Sequence, residues 1–427
     1  MQNLIGLVAA AVVSTSASLQ DASSAKKWTQ EELEKVSKSV QHDVEELRGT
    51  KFLRPVKVQV ADGKGFLEYA KKRQEKTESP ERRVRDETIA KMLGLVEPDL
   101  DLEKTLEKLL EAQVGGFYEP GSDTFYLMDT FGGDIAKIIL AHELTHALDD
   151  QLYDIDGTLN KLGQKTDAEF AYDSVVEGSG TVGMTQWLFR FGKGIDPKAM
   201  DSDLYSKGLD EAPQFLWKPL IAFYLEGSIF LTRAGSGVGG AEALSRAFQH
   251  PPRSSEQILH PDKYWDSKQL DEPRAVSIET SRIGGGWKVL GEDTLGEIYL
   301  AMATTPPEER KPLDVKNPMA IMGIHYTNTA AEGWGGDDVV VLEKNGGRVL
   351  WLVTAWDRPE DAEEFRAAAE DVLKKAPGAD KFRRTVDRPD AGDVVVVRVV
   401  QGVDEKDVPK PTWKVGPKIV PEDSGKR

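Results

Sequence analysis

The chain has 427 residues, 39% of them hydrophobic, which is more than one ordinary globular core uses and predicts two domains. Its 72 acidic against 55 basic residues give a formal net charge of -17, arguing against nucleic acid or an anionic membrane surface as a sequence-independent partner. Cysteine is absent, so a disulfide framework and a thiolate metal site are both excluded, and any metal has to be held by His, Asp or Glu.

The apolar run from Leu4 to Val13, followed by small residues with Ser16 and Ser18 placed for cleavage, reads as a signal peptide over residues 1–18 and predicts an exported protein, periplasmic or extracellular. No later stretch is apolar enough to span a bilayer, so the mature chain is expected to lack an integral membrane segment. Thr29 and Glu32 form a capping box before Leu33, Val36, Val40, Val44 and Leu47 at helical spacing, an amphipathic helix that leaves His42 exposed. Residues 56–60 alternate like a strand. The charged stretch 71–88 reads as a solvated helical face, and Leu102, Leu106, Leu109 and Leu110 mark a further packing helix. Two aromatic-rich runs flank Glu119-Pro120-Gly121-Ser122 and predict a hairpin. A largely buried helix follows from about Asp134 to Gln151, then a second from about Asp167 to Phe191.

Beyond residue 285 the texture changes. Strands at 339–343 and 349–354 flank Asn345-Gly346-Gly347, a helix opens at Pro359, and 394–400 reads as another strand. The expected fold class is α+β, with a main domain over 28–284, a smaller α+β module of β-β-α-β order over 285–403, and a Pro/Lys-rich tail over 404–427. Trp334, Trp351 and Trp356 in the module admit two readings, aromatic packing on strands or a stacking patch for a ligand.

The buried helix carries His142-Glu143-Leu144-Thr145-His146. Two histidines four apart project from one face a turn apart, so both imidazoles reach one Zn²⁺, and the glutamate between them is placed to act as general base. Buried without partners, these groups would cost stability. A catalytic zinc needs a third protein ligand, and Glu169, Asp173 and Glu177 recur every four residues on the next helix. Glu177 is the expected ligand because its glycine-rich, apolar surroundings in SVVEGSGTVGM would leave a carboxylate desolvated, with Glu169 as the alternative. Gly178 and Gly180 permit close approach of the two helices.

This combination of HELTH with a glutamate on a following helix resembles the gluzincin clan of zinc metallopeptidases, and the longer order HELTHALDDQ, VVEG and PPRSSEQILHPDKYW is similar to a poorly characterised bacterial group of that clan over about residues 114–300. The resemblance implies a zincin-like peptidase domain, with zinc on His142, His146 and Glu177 and a metal-activated water that Glu143 deprotonates. Two features depart from it: the separation of His146 from Glu177 exceeds that of thermolysin-like members, and Thr181 stands where those carry an aspartate that orients a ligand. Asp173 and Asp150 are the candidates for that orienting role. The missing Gly-x-Met-Glu-Asn segment of the aminopeptidase branch points to an endopeptidase or oligopeptidase acting on peptides or proteins.

An oxyanion needs a second partner besides zinc. His260 and Tyr264 are the candidates, with His250 and Arg253 behind them, against the reading of a structural loop held by prolines 251, 252 and 261. The strand from Thr124 to Leu127 is expected at a sheet edge, binding substrate by strand addition as the resemblance implies. His325 admits a core reading. Two other function classes fit the same motif: a catalytically silent scaffold, and a zinc hydrolase of a non-peptide amide or ester.

Overall fold

The computed structural model describes residues 8–9, 27–195, 209, 211–233, 240–311, 313, 320–321 and 323–419. The signal-peptide reading lies outside them except at Val8 and Ala9. Helix α1 (Gln30–Arg48) opens with the expected capping box, the Thr29 hydroxyl accepting from the Glu32 N–H while the Glu32 carboxylate accepts from the Thr29 N–H. Strand β1 (Lys57–Ala61) and helices α2 (Gly63–Thr77), α3 (Pro80–Met92) and α4 (Leu102–Gln113) follow. The stretch 71–88 departs from its expected solvated face. Arg73, Arg82 and Arg85 are buried and pair with Asp156, Glu169 and Asp293. Charge periodicity along a helix cannot distinguish water from a carboxylate supplied by a remote element.

The expected hairpin is β2 (Gly116–Glu119) and β3 (Thr124–Met128), with Gly121 and Asp123 at positive φ in the turn. Strand β1 runs parallel to β3 on its other side, from Lys57 opposite Thr124 to Ala61 opposite Met128. The strand expected at an edge is therefore central: β2, itself paired with Val8–Ala9, lies on one side of it, and β1 is the edge on the other. A strand with both ladders filled has no unpaired backbone to offer a substrate.

On this sheet lies α5 (Gly133–Tyr153); the short α6 (Ile155–Lys161) follows, α7 (Thr166–Phe191) packs against α5, and α8 (Gln214–Arg233) against α7. Helix α5 is buried from Ile138 through Gln151 and α7 from Glu169 through Gly180, so neither shows a polar face in its middle. Helices α7 and α8 meet backbone to backbone: a Cβ on Gly178 would lie 2.4 Å from the Gly227 carbonyl carbon, and one on Gly227 would lie 2.0 Å from the Ser174 carbonyl oxygen.

Helix α9 (Gly240–Gln249) and the short α10 (Ser255–Leu259) and α11 (Asp262–Trp265) lead to β4 (Arg274–Glu279), β5 (Lys288–Asp293) and α12 (Gly296–Thr304). Then come β6 (Trp334–Lys344), β7 (Gly347–Trp356), α13 (Pro359–Lys375), β8 (Arg383–Asp387), β9 (Val394–Gln401) and β10 (Thr412–Lys418). Five of these strands form an antiparallel sheet of order β5-β6-β7-β9-β8, two strands more than the sequence suggested. Its central hairpin turns at Asn345-Gly346, both at positive φ, as a two-residue turn matched to strand twist requires. The tail reading of 404–427 also changes. Strand β10 pairs with β4, and together they cover one face of the sheet, Ile278 packing with Val340, Leu342, Val353 and Val396. The other face joins a hydrophobic core that continues through α12 and α13 into the helices around α5. Trp334 and Trp356 are fully buried in it, which is the packing reading of those residues. The architecture is α+β, and among the described residues no helix is long and apolar enough to cross a membrane.

The sheet also holds the helices from their ends. The Asp293 carboxylate at the end of β5 accepts from the Thr166 N–H and hydroxyl at the start of α7, at 2.8 and 2.6 Å. Asp337 on β6 accepts from the N–H groups of Leu295 and Gly296 at the start of α12, and Asp167 from that of Ser255 at the start of α10, each at 2.8 Å. Gly227→Ala should force α7 and α8 apart and lower stability by about 2–3 kcal/mol. A denaturant midpoint equal to that of the parent chain would show that this backbone contact is not required.

Candidate metal centre

On α5 the i,i+4 spacing stacks His142 above His146, and the facing turn of α7 brings Glu177 to both. The His142 and His146 Nε2 atoms are 2.8 Å apart, and Glu177 Oε2 lies 3.1 Å from the first and 3.4 Å from the second. All three side chains are buried. Three donor atoms this close together could all reach one ion at the roughly 2.0–2.1 Å of a Zn–N or Zn–O bond. The donor set is that of a catalytic zinc site, two imidazoles and one carboxylate. Among the described residues, only one other group of acids lies close enough to hold a metal, Glu256, Asp271 and Asp357. Lys263 Nζ fills it, at 2.5, 3.1 and 3.4 Å from the three.

Gly180 sets the approach. A Cβ there would lie 2.6 Å from His142 Cε1 and 2.7 Å from His146 Cε1, and one on Gly183 would lie 2.5 Å from Thr145 Oγ1. The expectation for Gly180 holds in these contacts, whereas Gly178 makes its close contact with α8.

Glu143 is fully buried, and neither of its oxygens has a hydrogen bond of normal geometry. Burial pushes its pKa up to about 8, with the His142 imidazole and the Tyr118 backbone N–H pulling it down and the Glu177 charge adding to the rise. Burial also disfavours the Glu177 carboxylate, but the two imidazoles outweigh it and hold its pKa below the ordinary value.

The acidic stripe on α7 divides by partner. Glu169 receives both guanidinium nitrogens of Arg82, one at 2.9 Å, and both side chains are buried. Glu177 faces the histidines instead. Between them Asp173 is buried with one oxygen unbonded, and burial together with the charges of Glu169 and Glu177 raises its pKa well above the usual value. Asp150 accepts from the Tyr118 hydroxyl and the Ile155 N–H, both at 3.1 Å. Among the described residues neither aspartate hydrogen-bonds a histidine, and His146 Nδ1 is buried without an acceptor. Thr181 donates to the Glu177 carbonyl at 2.9 Å, so no carboxylate enters there.

The loop of His260 and Tyr264 is tied down by hydrogen bonds of its own. His260 Nε2 is 2.9 Å from Glu297 Oε1, and the Thr327 hydroxyl bonds the same oxygen. Tyr264 donates to the His250 carbonyl at 2.6 Å and packs against Phe230 and Trp265. Arg253 pairs with Glu272 at 3.5 Å. These bonds hold the loop to α8, α9 and α12, which is the structural reading of it. His325 is exposed.

Sequence reasoning missed two features. Tyr224 on α8 places its ring 5.9 Å from that of His142. Arg48, the last residue of α1, donates to Asp149 and to Ser179 Oγ, and Ser179 donates to Asp149 at 2.5 Å. This knot ties α1 to α5 and α7 beside the ligands. Nothing local marks it, because Arg48 lies 101 residues from Asp149 in the chain.

Residues 285–410 match the family described as a domain of unknown function (DUF8575), which covers the five-stranded sheet and α13 and excludes His142, His146 and Glu177. No curated protein matches the chain, and no solved structure does.

Glu169→Ala leaves Arg82 buried without its counter-ion and should lower stability by about 3–5 kcal/mol, a loss that chemical denaturation reads directly. A near-neutral effect would mean that solvent reaches the pair.

Proposed function

We propose that the chain is a zinc-dependent peptidase of zincin-like fold in its main domain, in which His142, His146 and Glu177 hold the metal and Glu143 is the general base. The observation that carries this reading is the buried triangle of two Nε2 atoms and one carboxylate oxygen, with no separation above 3.4 Å, beside a buried glutamate whose oxygens make no hydrogen bond of normal geometry. Left empty, such a cluster would bury polar atoms at a cost, and a bound cation removes that cost. The resemblance of HELTH and VVEG to the gluzincin clan supports the same assignment.

Zinc held there supplies a Lewis acid that polarises a carbonyl and makes water a nucleophile near neutral pH. Glu143 does the proton work: one of its carboxylate oxygens takes a proton from the attacking water and passes it to the departing amine. Its burial keeps bulk water from competing for that proton. Glu169 takes no part because Arg82 holds it, and the Arg48–Asp149–Ser179 knot keeps α5 and α7 in register so that the ligands stay converged. His260 and Tyr264 are given no step here, since their hydrogen bonds run to Glu297 and to the His250 carbonyl. Export and a peptide or protein substrate remain part of the proposal through the N-terminal apolar run and the clan resemblance.

Purified protein should contain about one zinc per chain, and Glu177→Ala should lose it while staying folded. Glu143→Gln should retain both fold and zinc yet lose at least about a hundredfold in kcat on a mixed peptide library, because the amide cannot accept the proton. Metal analysis, a melting curve and library turnover are read on the same samples. Undiminished hydrolysis by Glu143→Gln would remove the proposed base, and full zinc in Glu177→Ala would remove the proposed ligand.

A further inference from the structure

Four buried carboxylates of this chain are matched with arginine or lysine: Arg82 holds Glu169, Arg48 holds Asp149, Arg85 holds Asp293 and Lys263 holds Glu256. The Glu297 carboxylate on α12 is fully buried and has a histidine instead. His260 Nε2 lies 2.9 Å from Glu297 Oε1, the Thr327 hydroxyl bonds that same oxygen, and Oε2 has no hydrogen bond. Among the described residues no lysine or arginine pairs with Glu297. Other charges that face it are of its own sign, Asp167 on α7 and Glu256 on α10. The His260 side chain keeps 30% of its surface exposed, so the imidazole exchanges its proton with solvent although its partner is sealed in the core.

Three parts of the chain meet at this pair. His260 directly follows α10, Glu297 lies in the first turn of α12, and Thr327 belongs to the segment 323–333 that runs into β6 of the five-stranded sheet. Four charged groups face the imidazole: Glu297, Lys263 on α11, Glu332 in the segment of Thr327, and Glu226 on α8. Burial alone would lower the His260 pKa. The hydrogen bond and charge of Glu297 outweigh burial, Lys263 opposes them, Glu332 adds to them, and the balance stands above the ordinary value. A histidine shifted in that direction contributes stability that is fully present below its unfolded pKa of about 6.5 and is lost as pH rises through the folded value. Once neutral, the imidazole keeps at most one N–H donor toward Oε1, and the Glu297 charge stays in the core without a counter-charge, which is costly. We propose that His260, Glu297 and Thr327 form a pH-sensitive latch, closed while the imidazole carries its proton, that fastens the segment entering β6 and the loop after α10 onto α12. It is separate from the candidate metal centre, since none of its members is His142, His146 or Glu177.

The test reads amide hydrogen exchange of the full chain by mass spectrometry at about pH 6 and about pH 8.5, on either side of the histidine range. Each rate is divided by that of the unfolded chain at the same pH, so that the pH dependence of exchange itself cancels. The reporter is the peptide containing Ala331 and Glu332, whose N–H groups bond back to the Asn328 carbonyl. Its protection should fall by about tenfold or more from the lower to the higher pH, the size of a charge-assisted hydrogen bond. His260→Gln, which keeps a neutral donor, should show the parent's high-pH protection at both values. Glu297→Gln, which keeps an acceptor for Thr327, should also lose the pH dependence, and it carries the test if His260→Gln does not fold. Glu226→Gln and His42→Gln leave the pair intact and should retain it. The proposal is overturned if protection in the parent is unchanged or rises with pH, or if a folded His260→Gln or Glu297→Gln keeps the parent's pH dependence. Loss of that dependence in Glu226→Gln would also overturn it, by placing the sensing group on α8.

Discussion

The approach of α5, α7 and α8 at glycine is the constraint on which the rest of the molecule depends. Gly180 lies against both imidazoles and Gly183 against Thr145, while Gly178 and Gly227 bring α7 and α8 into backbone contact. Any side chain at these places would spread the helices. The separations of 2.8 to 3.4 Å among His142, His146 and Glu177 would then open, because the three atoms are carried on two rigid helices and have no loop to absorb the change. Close packing also makes the middle of each helix buried on every side, and so removes the polar stripe by which a surface helix is recognised.

Helices packed this closely still have to be set in rotation, and buried ion pairs do that here. Arg82 holds Glu169, Arg48 holds Asp149 and Ser179, and Arg85 holds Asp293. Each pair spans two elements, so a helix that turned would separate a desolvated charge from its partner. Asp293 serves twice, pairing with Arg85 and capping α7 at Thr166, which links the five-stranded sheet to the helix that carries Glu177. The sheet thus bears on the centre through a helix end rather than through a residue of its own.

Against this background of paired charges, the candidate metal centre stands out for what it lacks. There Glu177 and two imidazoles converge beside the buried oxygens of Glu143, and among the described residues no lysine or arginine pairs with Glu177. A fold that gives Arg73, Arg82 and Arg85 each a carboxylate leaves this set without one of its own cations.

Much of the centre was legible in the sequence because its information is local. Two histidines at i,i+4 share a helix face whatever surrounds them, Thr29 with Glu32 marks a helix start, and Asn345-Gly346 marks a tight hairpin, each within a few residues. Spacing alone also put Glu169, Asp173 and Glu177 on one stripe, and there it stopped. The glycine-rich surroundings singled out Glu177, and the arrival of Arg82, 87 residues away in the chain, is what occupies Glu169. The parallel pairing of β1 with β3, which moves β3 from the edge to the centre, and the return of β10 to β4 depend in the same way on contacts between distant segments. The sequence by itself determined which side chains could meet a metal on α5. The tertiary structure decided that Arg82 takes Glu169, and which charges in 71–88 were buried, because a side chain's partner across the core is set by helix packing and strand order, neither of which a local pattern encodes.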